Sequence, residues 1–195
     1  MKTIGVYGGS FDPIHIGHLV TTRFVYEQRD LGKIIFMPCN ISPLKTSNAL
    51  ISPGHRLKML ELALEPFPFF EVSDYEILKG NVSYTLDTLL ELKKTYDSIE
   101  LIIGYDNLVI FDKWHEPEKI LDIAKLIVMK RKTDDDAEVN NKFMDSAFII
   151  NTPSIEISAT DIRNRILNGR SIDYLVPRKV NEYIQENRLY TKTCP

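Results

Sequence analysis

Cysteine is scarce in this chain and tryptophan scarcer, two of the first and one of the second in 195 residues. Cys39 and Cys194 have no spacing that suggests a zinc site or a redox pair, and both read as reduced thiols. No apolar run approaches the roughly 18 residues that a membrane-spanning helix requires. An excess of positive charge is missing too, since the formal net charge is −3. Broad nucleic-acid binding needs a basic surface that displaces counterions from many phosphates, so that class is excluded; a small phosphorylated ligand needs only local positive charge. Repeats, low-complexity tracts and interdomain linkers are absent, which predicts a single domain over residues 1–195. The first strand begins within three residues of Met1, so no signal peptide is expected and the cytoplasm is the expected location.

What is present is concentrated near the start. The apolar run Ile4-Gly5-Val6-Tyr7 reads as a short buried strand and Ile16 to Arg29 as a helix, so Gly8-Gly9-Ser10-Phe11-Asp12-Pro13-Ile14-His15 is a strand-to-helix turn. Gly8 and Gly9 are expected to let the backbone bend sharply and approach a ligand, and the helix N-terminus beyond them suits phosphate. His15 and His18 sit three residues apart, which puts both imidazoles on one helical face, able to converge on one phosphate.

Further strands are predicted at 33–38, 69–72, 100–104, 126–129 and 148–150, alternating with helices that begin at Pro53, near Ser83 to Thr85, at Leu108, at Pro117, after Ser158 and at Pro177. The stretch 74–81 reads as irregular. Alternation of this kind gives an α/β fold, a Rossmann-like doubly wound parallel sheet with helices on both faces. A C-terminal helical segment, about 158–190, packs on it. Loops at the C-terminal edge of such a sheet bind ligands. Lys45 there is either a phosphate contact or a solvated lysine. Asp106 is either a helix cap or an acceptor for ribose hydroxyls, and Trp114 either packs or stacks on an aromatic ring. Lys130-Arg131-Lys132 gathers cations at the same edge. Ser158 to Arg163 repeats the opening logic, with a capping hydroxyl before a helix that carries an arginine one turn in.

The His15-Ile16-Gly17-His18 tetrapeptide, with Gly8 to Pro13 before it, resembles the signature of the nucleotidylyltransferase superfamily. Arg56 to Leu60, Ser83 to Thr88, Ile103 to Asp106, Lys113-Trp114, Ile157 to Arg163 and Tyr174 to Pro177 narrow the similarity to bacterial nicotinate-nucleotide adenylyltransferases. The resemblance implies adenylyl transfer from ATP to nicotinate mononucleotide, with Mg²⁺ bound through the ATP phosphates and no metal held by the protein alone. It implies that Gly8, Gly9, Ser10 and Phe11 line the ATP site and that Gly17 leaves room for adenine. His15, His18, Lys45 and Arg163 would carry catalysis, with Arg131, Ser158 and Thr160 on the phosphates. Gly104 and Asp106 would line the nucleotide cleft, Thr85 and Trp114 would form the nicotinate pocket, and backbone amides near Thr85 and Tyr105 would read its carboxylate. Where that family has Pro-Pro-His-Lys, this chain has Ser42-Pro43-Leu44-Lys45, keeping the lysine without its imidazole neighbour. Phosphopantetheine adenylyltransferase, an amide-preferring mononucleotide adenylyltransferase and a nucleotide sensor without turnover are the competing readings. Self-association is left open.

Overall fold

The computed structural model describes residues 3–43, 51–132 and 142–191. Leu44, Lys45, Asp134 to Asp136 and Cys194 lie outside the described residues. Six strands form one sheet: β1 (Ile4–Gly9), β2 (Lys33–Pro38), β3 (Phe70–Val72), β4 (Ile99–Gly104), β5 (Lys125–Lys130) and β6 (Ala147–Asn151). Their order is β3-β2-β1-β4-β5-β6, and every pairing is parallel. Parallel neighbours require crossovers, and helices supply those between β1 and β5: α1 (Ile16–Gln28), α2 (Pro53–Leu64), α3 (Tyr75–Lys79) with α4 (Thr85–Lys93), and α5 (Tyr105–Val109) with α6 (Pro117–Ile123); α7 (Ala159–Leu167) and α8 (Arg178–Glu186) follow β6.

Successive side chains of a strand point to opposite faces, and the apolar runs therefore feed two cores. On one face Ile34, Phe36, Ile102 and Ile127 pack with Leu19 and Val25 of α1, Met59 and Leu60 of α2, Ile162 of α7, and Val180 and Ile184 of α8. On the other, Ile35, Met37, Leu101, Ile103 and Val128 pack with Leu86 and Leu89 of α4, Leu108 of α5 and Ile120 of α6. Burial on both faces is why these strands read as continuous apolar runs.

The helix starts hold most of the corrections. Ser52 caps α2 through the His55 amide with Pro53 at its first position, as expected. Local sequence offers Ser83 or Thr85 as the capping hydroxyl of α4; the cap residue is instead Tyr84, and Ser83 accepts from the Asn40 amide at 2.9 Å. The stretch read as irregular contains α3, whose five residues are too few for a periodic pattern to register. Gly80, at φ 74, ends it in the left-handed conformation that glycine adopts freely. The short helix expected from Leu108 begins at Tyr105, and a single tight turn at Phe111–Lys113 follows it. Phe24 and Leu90, which the apolar spacing of α1 and α4 places with their buried stripes, are exposed.

Candidate active site

In a doubly wound sheet the connections leave in opposite directions at one pair of neighbouring strands and open a crevice there. Here that pair is β1 and β4. At their C-terminal ends lies a cleft of about 530 Å³, walled by the turn after β1, the start of α1, the β4–α5 junction, Trp114, Arg131 and the start of α7.

The turn is built differently from expectation. Gly8 and Gly9 do not make the bend; they complete β1, which runs two residues further than predicted. The bend falls at Phe11, whose φ of 47 is left-handed. Its ring folds back over Gly9, where an added Cβ would stand 3.0 Å from the ring, so glycine is needed there for close approach. The Phe11 ring also meets Tyr7 edge-on at 5.4 Å and His18 at 5.3 Å.

His15 is the cap residue of α1, in extended conformation, and His18 lies one turn in. The two rings stack, centroids 3.6 Å apart. The His15 main-chain N–H donates to Nδ1 of His18 at 3.3 Å, which leaves the proton of neutral His18 on Nε2. His15 Nδ1 is buried with no partner among the described residues. Burial pushes its imidazole down to about 4, so it is neutral at physiological pH. A Cβ at Gly17 would come within 3.0 Å of His15 Nδ1. The space that the resemblance assigned to adenine is thus bounded first by the His15 ring.

Across the cleft, Gly104 rather than Asp106 is the cap residue of α5, which sets aside the reading of Asp106 as a cap. Asp106 lines the cleft with Tyr105 and Asn107. Its carboxylate folds so closely over the strand end that any Cβ on Gly104 would collide with Oδ1. The Tyr7 phenol between these walls is pushed up by burial and by the Asp106 carboxylate, with Arg131 opposing. Of Lys130-Arg131-Lys132, Arg131 lines the cleft, whereas Lys130 sits over the Tyr105 ring at 5.3 Å.

Ser158 does cap α7, accepting from the Asp161 amide at 3.0 Å, but it is not part of the cleft lining, to which Ala159, Thr160 and Arg163 contribute. Arg163 donates to the Asp12 carbonyl at 2.7 Å and to Thr160 Oγ1 at 3.1 Å. Trp114 is half-buried, lines the cleft and packs on Phe111 at 5.1 Å; its Nε1 is buried without a partner among the described residues. Thr85, half-buried at the start of α4, is not part of the cleft wall. Lys45 falls outside the described residues.

Three residues that matter to this geometry carried no role in the sequence reading. Arg56 is fully buried and donates to the carbonyls of Ser10 at 2.8 Å, Asn40 at 3.3 Å and Ile51 at 3.4 Å, tying the turn after β1 to both ends of the β2–α2 connection beneath the site. Asp12 is 3% exposed and accepts from the Tyr190 hydroxyl at 2.7 Å. A charged residue interrupting the apolar face of α2 was the available sign for Arg56; nothing local pointed to Asp12 and Tyr190.

A family model for cytidylyltransferase-like proteins matches residues 6–165, a span that runs from β1 through most of α7. The chain belongs to the cytidylyltransferase-like family. Within the cytidylyltransferase-like proteins its relatives are narrower in name. A protein of Hydrogenobaculum sp. (strain Y04AAS1) named "Probable nicotinate-nucleotide adenylyltransferase" is 44% identical over 191 residues, covering 97% of this chain and 99% of its own. One of Clostridium beijerinckii with the same name is 38% identical over 203 residues, covering 97% and 100%. Among solved structures, nicotinic acid mononucleotide adenylyltransferase of Plasmodium falciparum complexed with NaAD superposes with a TM-score of 0.78 at 21% identity, covering 97% of this chain and 98% of that one. That likeness shows the shared cytidylyltransferase-like fold. Among the described residues no group of three or more His, Cys, Asp or Glu is placed to hold a metal ion, and no helix is long and apolar enough to cross a membrane.

Proposed function

We propose that this chain transfers the adenylyl group of ATP to nicotinate mononucleotide, giving deamido-NAD and pyrophosphate in NAD biosynthesis. The observation that carries the reading is the stacked His15–His18 pair at the start of α1, which lines the same cleft as Arg163 at the β1–β4 switch point. A cleft of about 530 Å³ is within the range of small-ligand sites, and its phosphate-facing side has cationic and N–H donor groups.

In this reading the mononucleotide's phosphate oxygen attacks the α-phosphorus of ATP and the bond to the β,γ-pyrophosphate breaks. A phosphate monoester has its second pKa near 6 and is largely dianionic at neutral pH, so neither a protein nucleophile nor a strong general base is required. Catalysis then rests on alignment and on charge stabilisation. His18 donates from Nε2 to a phosphate oxygen, with neutral His15 beside it. Arg163, with Lys45, Arg131 and Thr160, supports the β- and γ-phosphates, Ser158 caps the helix that carries Arg163, and Asp106 accepts from ribose hydroxyls. Gly8, Gly9, Ser10, Phe11, Gly17 and Gly104 shape the ATP site, and Trp114 and Tyr105 receive the nicotinate, with Thr85 outside the cleft wall. Mg²⁺ carried on the ATP phosphates would add charge neutralisation at the leaving group. A cytoplasmic location belongs to the same reading.

The test is pyrophosphate release when ATP is mixed in turn with nicotinate mononucleotide, nicotinamide mononucleotide and phosphopantetheine. Release with the acid, at a kcat/KM well above the amide's, is expected. Equal values for acid and amide remove the acid selectivity, and release with phosphopantetheine alone overturns the reading.

A further inference from the structure

Tyr190 stands at the far end of the described chain and touches the site through one side chain. Its hydroxyl donates to Asp12 Oδ1 at 2.7 Å across a sequence separation of 178 residues. Asp12 belongs to the turn after β1, and its backbone carbonyl accepts from Arg163 Nη1 at 2.7 Å while its carboxylate lies 3.8 Å from the same nitrogen. Arg163 is thus held to the turn by two groups of one residue, and that residue is held by the phenol.

The tail is shaped to deliver this contact. At the end of α8 the Arg188 amide donates to the Gln185 carbonyl and the Leu189 amide to the Ile184 carbonyl, with Arg188 in the left-handed conformation at φ 50. That pairing closes a helix with a Schellman turn, where glycine is usual because other residues are strained at such φ. Leu189 is 2% exposed, plugged into the core beside α2, and Tyr190 is itself left-handed at φ 61. Two left-handed non-glycine residues around a buried leucine fix the direction in which the phenol leaves the tail.

Asp12 is a buried carboxyl faced by Tyr190, Arg163 and Arg56. Burial alone pushes it toward its neutral form, and the phenol and the two guanidiniums oppose that. Removing the phenol takes away a donor to the charged form and leaves Oδ1 free to turn within its pocket. The group that then loses its anchor is Arg163.

The geometry points to Tyr190 as a positioning residue for adenylyl transfer, acting through Asp12 to hold the Arg163 guanidinium at the cleft wall where the triphosphate binds. The inference rests on the function proposed above for that cleft. Tyr190 touches no substrate; its effect passes through Arg163 alone.

A double-mutant cycle on Tyr190→Phe and Arg163→Ala in the full chain tests it, because residues acting in series are not additive whereas a merely structural loss multiplies. The cycle is read as kcat at saturating ATP and nicotinate mononucleotide, and separately as calorimetric affinity for ATP alone. Tyr190→Phe by itself is expected to lower kcat about tenfold and to weaken ATP several-fold, with less than a twofold further change when Arg163 is already alanine. Effects that multiply, or a Tyr190→Phe kcat within twofold of the unaltered chain, overturn the proposal. Should Tyr190→Phe fail to fold, Asp12→Asn takes its place in the same cycle with the same expectation. An unaltered chain that binds ATP but releases no pyrophosphate overturns the function alone, and the ATP cycle then decides the role of Tyr190. Absence of ATP binding overturns both.

Discussion

The main-chain N–H of His15 donates to Nδ1 of His18 while their rings lie stacked 3.6 Å apart. One hydrogen bond thereby satisfies an amide at the helix start and fixes which nitrogen of His18 carries its proton. The catalytic and the structural role of His18 are assigned to different atoms, and substitutions can separate them.

His18→Ala removes both. Loss of one preorganised donor lowers kcat by about 100- to 1000-fold. His18→Asn keeps a side-chain acceptor near the His15 amide but has nothing at the position of Nε2. It is expected to match the alanine variant in kcat while melting closer to the unaltered chain. Steady-state rates and thermal melts of the two variants check this, and near-normal turnover in either contradicts the role given to Nε2.

His15 makes a prediction about acid. Its imidazole titrates near 4 in the folded chain because it is buried, against about 6.5 when unfolded. Between those values the unfolded chain binds the extra proton, so stability rises with pH there. The contribution is fully present above about pH 6.5 and is lost as the pH falls toward 4, on the order of 3 kcal/mol in all. Urea denaturation at pH 7 and pH 4.5 is expected to show a loss about 2 kcal/mol smaller for His15→Gln than for the unaltered chain. An identical loss in both contradicts the burial argument.

Much of this was legible in sequence, for identifiable reasons. Strands buried on both faces leave unbroken apolar runs such as Ile34 to Met37 and Leu101 to Ile103, so the sheet could be read directly. The His15–His18 pair could be read because helical spacing alone makes those residues neighbours. Asp12 and Tyr190 could not, since their contact depends on how a tail after α8 crosses to β1. For Asp106 the residue type alone left a cap and a ribose contact both open; β4 runs straight into α5 at Gly104, which leaves the aspartate already inside the first turn and removes the cap. Gly9 was assigned a bend that Phe11 makes, and its actual service is to leave space for the Phe11 ring.

Arg56 tests how far the loops beneath the site depend on one buried cation. It donates to three carbonyls, one in the β1–α1 turn and two in the β2–α2 connection, and is fully buried. Arg56→Lys keeps the charge but offers a single ammonium in place of a rigid fork, leaving at least one carbonyl unpartnered. A cost of about 3 kcal/mol is expected, or roughly 6–12 °C in Tm for a chain of this size. Calorimetry reads the shift, and a change below about 2 °C shows that the two connections hold without the fork.

Trp114 provides the sharpest separation of the two substrates. Its indole lines the cleft and packs on Phe111. Its Nε1 is buried with no partner among the described residues, so the hydrogen bond contributes nothing that a hydrocarbon ring would lack. Trp114→Phe is therefore expected to fold as stably as the unaltered chain and to raise the KM for nicotinate mononucleotide only a few-fold. Trp114→Ala removes the stacking face, worth about 0.5–1.5 kcal/mol beyond area burial, and raises that KM by about tenfold or more. The KM for ATP stays within twofold in both, because the adenylyl donor is held from the His15 and Arg163 side of the cleft. If the alanine variant instead raises the KM for ATP and leaves that for the mononucleotide unchanged, the two substrates occupy the cleft in the opposite order.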